Sequence, residues 1–239
     1  MALEPFFQFV RKLNNNRFGG LQSQNSQHLA FMRQLHREMN EYNVMEKPLE
    51  TISAVVFDIE TTGFYPEKGD RILSIGAVKI IDGQMLESES FYSLVRFEEE
   101  LSEGIKKLTG INSKELLAAP SLSDVMIQFF KFAQDLPLIA HHSSHEKKFM
   151  QHASWTMFKT SFKHKLFDTS FLYRLIEPQG ISIKLEDFCV RNGIEIVDRH
   201  HALGDAKLTA QLWLCYIIKV RNAGCETMKD VYEKIAKLS

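Results

Sequence analysis

The chain has 239 residues, 44% hydrophobic and 25% charged, with 29 basic side chains against 30 acidic and a formal net charge of −1. These proportions describe a globular protein with material for a sizeable core, one domain of about 190 residues plus an extension, and they exclude the strongly basic proteins that coat nucleic acid. The most apolar run, Ala210 to Val220, is broken by Gln211 and Lys219 and falls well short of the ~20 residues that cross a bilayer, so no membrane is expected. Met1 to Leu13 carries Glu4 and lacks a basic segment ahead of an apolar core, unlike a secretory signal. Cys189, Cys215 and Cys225 show no C-x-x-C spacing and read as reduced packing residues, which with the missing signal predicts a cytoplasmic protein.

In chain order, residues 1–50 read as a helical extension or docking arm, residues 51–222 as the main domain and residues 223–239 as a helical tail. Within the extension, Asn14 to Asn16, Gly19-Gly20 and Gln22 to Gln27 form a polar, turn-rich stretch. After it Leu29, Met32, Leu35, Met39 and Tyr42 recur at steps of three and four, placing them on one helix face that packs on the body of the protein or docks on a protein partner. From Ser53 the pattern becomes strand-like: Ala54 to Phe57 is a buried-type run, Arg71 to Ile81 a second, and Gln84 to Val95 a third across an Asp82-Gly83 turn. Then helical and strand patterns alternate: helical at Leu122 to Gln134, strand at Pro137 to Ala140, helical at Glu146 to Phe158, strand at Lys165 to Phe167. Helical patterns follow at Thr169 to Ile176, Lys184 to Asn192 and Leu203 to Val220. An antiparallel meander followed by βα units predicts an α/β fold, a mixed sheet flanked by helices.

Three segments carry chemistry. In Val56-Phe57-Asp58-Ile59-Glu60-Thr61-Thr62-Gly63 the period of two sends Asp58 and Glu60 to one side, at the end of an apolar strand. Two like charges there need compensation, which a divalent cation with oxygen ligands supplies; the plain alternative is an acidic strand end in water. Downstream, His200-His201-Ala202-Leu203-Gly204-Asp205 opens the long helical pattern with Asp205 in its first turn and His200 on the preceding loop. A carboxylate and an imidazole there suit cation binding and proton removal from water; alone, the Asp would simply complement the helix dipole. Between them Leu138 to Met150 reads as a strand ending in His141-His142-Ser143-Ser144-His145, with Glu146 near the start of the next helix. Separately, six Lys or Arg against one acidic residue lie between Lys147 and Arg174, interleaved with aromatic residues such as Phe149 and Trp155, a composition able to follow phosphates and stack bases.

D-x-E-x-T-G, a strand-to-helix acidic residue and H-x-x-x-x-D, in that order over about Thr51 to Val220, resemble the DEDD exonucleases in their histidine-containing branch. Arg71 to Ala77 and Phe167-Asp168-Thr169 fit the same resemblance. It implies a ribonuclease H-like fold and removal of nucleoside monophosphates from the 3′ end of a nucleic acid, single-stranded DNA first, with RNA as the alternative substrate. It implies two Mg²⁺ or Mn²⁺ ions held by Asp58, Glu60, Glu146 and Asp205, with His200 as general base and His201, one place out of register, a bystander. It further implies substrate contacts from Thr61, Thr62, Gly63, His141 and His142. The second motif departs from the family's H-N-x-x-F-D: the aligned residues are His141, His142, His145 and Glu146, and Glu lengthens the acidic arm by one carbon-carbon bond, about 1.5 Å. Hydrated Mg²⁺ leaves room for a longer arm. The competing readings are a nuclease-like module that binds nucleic acid or a polymerase with weak or no catalysis, and a zinc site from His141, His145 and His200. The zinc-protease version fails because His142 stands where H-E-x-x-H needs its glutamate.

Overall fold

A computed structural model describes residues 21–39, 44–178 and 184–238. The segment through Gly20 and Tyr42 lies outside the described residues. Strands β1 (Ala54–Thr61), β2 (Ile72–Ile81) and β3 (Gln84–Leu94) form the antiparallel meander, and β4 (Leu138–Ala140) and β5 (Leu166–Asp168) continue the sheet parallel to β1, giving the order β3-β2-β1-β4-β5. The β2–β3 turn is Asp82-Gly83, both with positive φ (47° and 73°), the backbone that a two-residue hairpin requires.

Alternation along β1 builds the two layers. Ala54 and Val56, with Val78, Ile80 and Ile139 of the neighbouring strands, face α8 (Ala202–Asn222), whose Leu208, Leu212, Trp213 and Tyr216 complete that core. Val55, Phe57 and Ile59 face the other way, onto α1 (Leu21–Glu38), α4 (Leu122–Ala133) and α5 (Ser144–Phe158). Short helices α2 (Glu103–Thr109) and α3 (Ser113–Ala118), which the apolar spacing does not reveal, follow β3 and are started by Ser102 and Asn112, whose side chains accept from the amides of Ile105 and Lys114. Helices α6 (Ser170–Ile176) and α7 (Leu185–Arg191) pack on α8, and α9 (Met228–Leu238) packs on α6.

The turn-rich reading of Gln22 to Gln27 is corrected: these residues lie within α1. Glutamine tolerates a helix well, and the anchored apolar face downstream carries the helix back through them. That face, Phe31, Met32 and Leu35, is buried in the same core as β1 and α4, with Leu29 and Met39 packed against it, so the described part of α1 rests on the body of the chain.

Candidate active site

Asp58 and Glu60 share the parity of Ala54 and Val56, so the strand sends both toward α8 rather than toward α4 and α5. Asp58 pairs in register with Gly76 of β2, and a β-carbon on Gly76 would stand 2.1 Å from the Leu203 amide nitrogen. The bare backbone at that position lets the first turn of α8 lie directly on the sheet beside Asp58. Gly204 does the same on the helix's other side, where a β-carbon would meet the Asp198 carbonyl oxygen at 2.1 Å. The result brings Asp58, Glu60 and Asp205 together, with one carboxylate oxygen of each within 4.8 Å of the others.

Glu146, in the first turn of α5 beyond β4, is 4% exposed and is a principal source of negative charge acting on Asp58. Its helix start is fixed by Asp168 at the end of β5, whose Oδ2 accepts from the Ser143 amide (2.9 Å) and hydroxyl (3.2 Å), while Oδ1 accepts from the Ser170 amide (2.8 Å). The site therefore sits at the carboxyl ends of β1, β4 and β5, the usual crevice of a sheet with parallel strands.

The electrostatics are those of an anionic cluster. Burial and then the charges of Glu146, Asp205 and Glu60 push the Asp58 carboxyl well above the ordinary range. Glu60 is raised to about 8 by burial and by Asp205, and Glu146 and Asp205 are raised chiefly by burial. Oε2 of Glu146 and Oδ1 of Asp205 are buried with no hydrogen-bond partner. Bare acceptor oxygens on converging carboxylates fit a hard divalent cation.

Arg199 tempers the cluster. Its guanidinium donates to Asp205 Oδ2 and to Glu186 of α7 (Nη2 2.9 Å, Nε 3.2 Å), and Nη1 lies 3.4 Å from His200 Nδ1. His200 has φ +63° in the tight turn before α8, and its amide donates to Asp205 Oδ2 (3.3 Å). Burial and the neighbouring Arg199 charge lower its pKa, which keeps the imidazole neutral near pH 7. His201 is drawn away to stack on Tyr92 with ring centroids 4.3 Å apart.

The remaining predicted site residues divide. Thr61 donates to the Gly63 carbonyl and stands 3.3 Å from His145 Nε2, and the Thr62 hydroxyl accepts from the Arg71 amide and meets Asp70, so this turn lines the approach to Glu60. His141 faces inward on Thr169 and Tyr173 and packs its ring against Phe188, and His142 takes φ +51° with Nε2 buried. His141, His145 and His200 thus serve three different sets of neighbours. Sequence reading missed Arg199 and Glu186; the only signal was an arginine beside the histidine of the last motif.

The RNase_T family of exonucleases matches residues 55–213. A DNA polymerase III subunit epsilon-like protein of Rhodobacter capsulatus is 31% identical over 194 residues, covering 80% of this chain and 27% of that protein. A PolC-type DNA polymerase III of Clostridium perfringens is 35% identical over 158 residues, 66% of this chain and 11% of the relative. The chain thus spans about a quarter or less of the length of these relatives. Among solved structures, the nuclease domain of 3′hExo, a DEDDh family member bound to rAMP, superposes with a TM-score of 0.61 at 20% identity, covering 74% of this chain and 95% of that one. Exonuclease X in complex with 5′ overhanging duplex DNA gives 0.56 at 20% identity, covering 74% and 98%. Both share the ribonuclease H-like fold of this chain. A mixed sheet with carboxylates gathered at the ends of its parallel strands, and a sequence match across most of its length, define a phosphodiester hydrolase of the exonuclease class. The chain belongs to the RNase_T family of DEDD exonucleases.

Proposed function

We propose that this protein removes nucleoside monophosphates one at a time from the 3′ end of single-stranded DNA, with Asp58, Glu60, Glu146 and Asp205 holding two Mg²⁺ or Mn²⁺ ions. The observation that carries the reading is the bare Oδ1 of buried Asp205 beside Asp58 and Glu60: this much negative charge is raised in proton affinity and calls for a cation. Divalent ions at such a site acidify water and offset the charge of a phosphodiester. The chain's own residues do the rest. His200, set on the loop against Asp205, accepts the proton of the attacking water as that water's oxygen bonds to phosphorus and the bond from phosphorus to the 3′ oxygen breaks, the leaving 3′ oxygen taking a proton from solvent. Thr61, Thr62 and Gly63 shape the wall on which the terminal nucleotide lies, with His145 behind them. The choice of DNA is supported by the similarity to a PolC-type DNA polymerase III and to a DNA polymerase III subunit epsilon-like protein, and by an Escherichia coli exonuclease I of the same fold in complex with a dT13 oligonucleotide.

The test is degradation of 3′- and 5′-labelled single-stranded DNA and RNA with Mg²⁺, Mn²⁺ or EDTA, beside Asp58→Ala. Metal-dependent, stepwise loss from the 3′ end that vanishes in the variant is expected; cleavage that survives Asp58→Ala defeats the assignment. A non-catalytic binding module is favoured by one observation, that Glu146 does not join the three carboxylates within 4.8 Å. Glu146→Asp decides: a large gain in rate would mean that the longer arm cripples the site.

A further inference from the structure

Lys148, His152 and Trp155 on α5 and Lys159, the residue that ends it with φ +52°, recur at steps of four, three and four, and all are exposed. Trp155 is 62% exposed, unusual for the largest side chain, which normally buries most of its surface or meets a partner. The surrounding stretch 147–167 holds five lysines, Lys147, Lys148, Lys159, Lys163 and Lys165, and no Asp or Glu, in a chain that is otherwise balanced in charge. All five are exposed. Beside this face lies a groove of about 180 Å³ between Pro66 and Arg71 on one wall and Phe149, His152, Ala153 and Thr156 on the other. It is smaller than the roughly 300–1,000 Å³ of a small-molecule site, so it admits a single flat group rather than a whole ligand. Side-chain contacts lead from its wall toward the candidate active site: the Phe149 ring lies 4.8 Å from that of His145, and His145 meets Thr61 at 3.3 Å.

We propose that this face of α5 and its groove are a second contact for the single-stranded nucleic acid whose 3′ end the carboxylates receive, Trp155 stacking on a base and Lys148 and Lys159 lying along phosphates. The inference rests on the exonuclease reading for the position of the 3′ end. Charge complementarity selects the occupant: a row of cations flanking an exposed indole suits a polyanion with aromatic bases. Trp155 lies nine residues beyond Glu146 on one helix, about 13 Å at ~1.5 Å per residue. That distance equals roughly four nucleotides stacked at about 3.4 Å.

The full chain carrying Asp58→Ala, in EDTA, is titrated with oligothymidylates of about two and about twelve nucleotides while tryptophan fluorescence is followed. The chain has two tryptophans, and Trp213 is 1% exposed, so a change on binding reads Trp155. The longer oligonucleotide should give a saturable change with tighter binding than the shorter, and Trp155→Ala should weaken its binding at least about fivefold, measured by anisotropy of the labelled strand. Lys159→Gln should lower the slope of log affinity against log salt by about one. Unchanged affinity in Trp155→Ala, or inorganic polyphosphate changing the fluorescence as the oligonucleotide does, overturns the proposal. Because Trp155 is on the surface, its variant tests contact rather than folding, and circular dichroism checks this. The two readings fail separately: wild-type protein that binds the long strand through Trp155 yet never cleaves it with Mg²⁺ or Mn²⁺ defeats the exonuclease reading alone, whereas cleavage with an unaltered Trp155→Ala affinity defeats this one alone.

Discussion

At Asp205 the two carboxylate oxygens have different neighbours: Oδ2 accepts from the Arg199 guanidinium and the His200 amide, whereas Oδ1 is buried without a donor. Arg199 is in turn gripped by Glu186 through two nitrogens. This chain of a carboxylate, a guanidinium and a carboxylate fixes Asp205 through one oxygen and leaves the other without a donor, and outer partners of this kind are commonly worth 10–100-fold in metal affinity or activity. Arg199→Ala should therefore lower kcat/KM on DNA by about 10–100-fold, with metal binding by calorimetry weakened in step. Glu186→Gln, which still accepts a hydrogen bond from Arg199, should fall less. His200→Ala has a different signature. Its turnover should drop by roughly 100-fold or more while metal affinity stays close to wild type, as expected of a lost proton acceptor; a variant that mainly binds metal poorly would remove the base role.

Between elements, the decisive contact is α8 against β2 at Gly76. Gly76→Ala forces a β-carbon to 2.1 Å from the Leu203 amide nitrogen, so helix and sheet must part and Asp205 with them. The expected outcome is a loss of stability of a few kcal/mol together with most metal binding, read by thermal melting and calorimetry. On the other face, Phe31→Ala or Leu35→Ala should cost about 2–5 kcal/mol, because each side chain is 1% exposed in the core beneath α1. How far the sequence foretold these elements depends on how much each buries. The alternation over residues 54–60, the Asp82-Gly83 hairpin and the apolar pattern of α8 were readable because burial imposes a period on them. Helix α2 was not, since its seven residues bury none and it is held by a Ser102 cap and the Gly110 terminus instead. The meeting of Asp58 and Glu60 with Asp205 was legible in their spacing and residue type, but the brace on Asp205 was not, because Glu186 and Arg199 lie on separate segments that only the packed α7 and α8 bring together.

For the molecule as a whole, two buried groups tilt the pH dependence of folding in opposite directions. Nε2 of His164 donates to the Gln134 carbonyl oxygen at 2.8 Å, the ring stacks on Phe130, and its pKa is lowered to about 4, chiefly by burial. A histidine held neutral stabilises the fold above its unfolded pKa of about 6.5 and loses that contribution as pH falls toward 4, on the order of 3 kcal/mol in all. The carboxylate cluster runs the other way: Glu60, raised to about 8, lets the folded chain hold a proton that the unfolded chain releases near 4.5, so stability without metal falls as pH rises through that window. Melting temperature in EDTA should peak between the two, His164→Asn should flatten the acid side and Glu60→Gln the alkaline side. Added Mn²⁺ should restore progressively more stability as pH rises toward 8, where Glu60 gives up its proton and the ion takes its place; no metal effect there would mean that the cluster binds no cation.

The placement of α8 also bears on when a cell first meets this activity. Asp58 and Glu60 leave the ribosome with β1, whereas Asp205 follows about 150 residues later and reaches them only when the helix has settled on Gly76. At a synthesis rate of ~5–20 residues per second that interval lasts roughly 7–30 seconds. Throughout it a growing chain carries an incomplete carboxylate cluster. The proposed strand cutting is thereby tied to the docking of α8, and a chain that stalls or misfolds before that step spares nucleic acid.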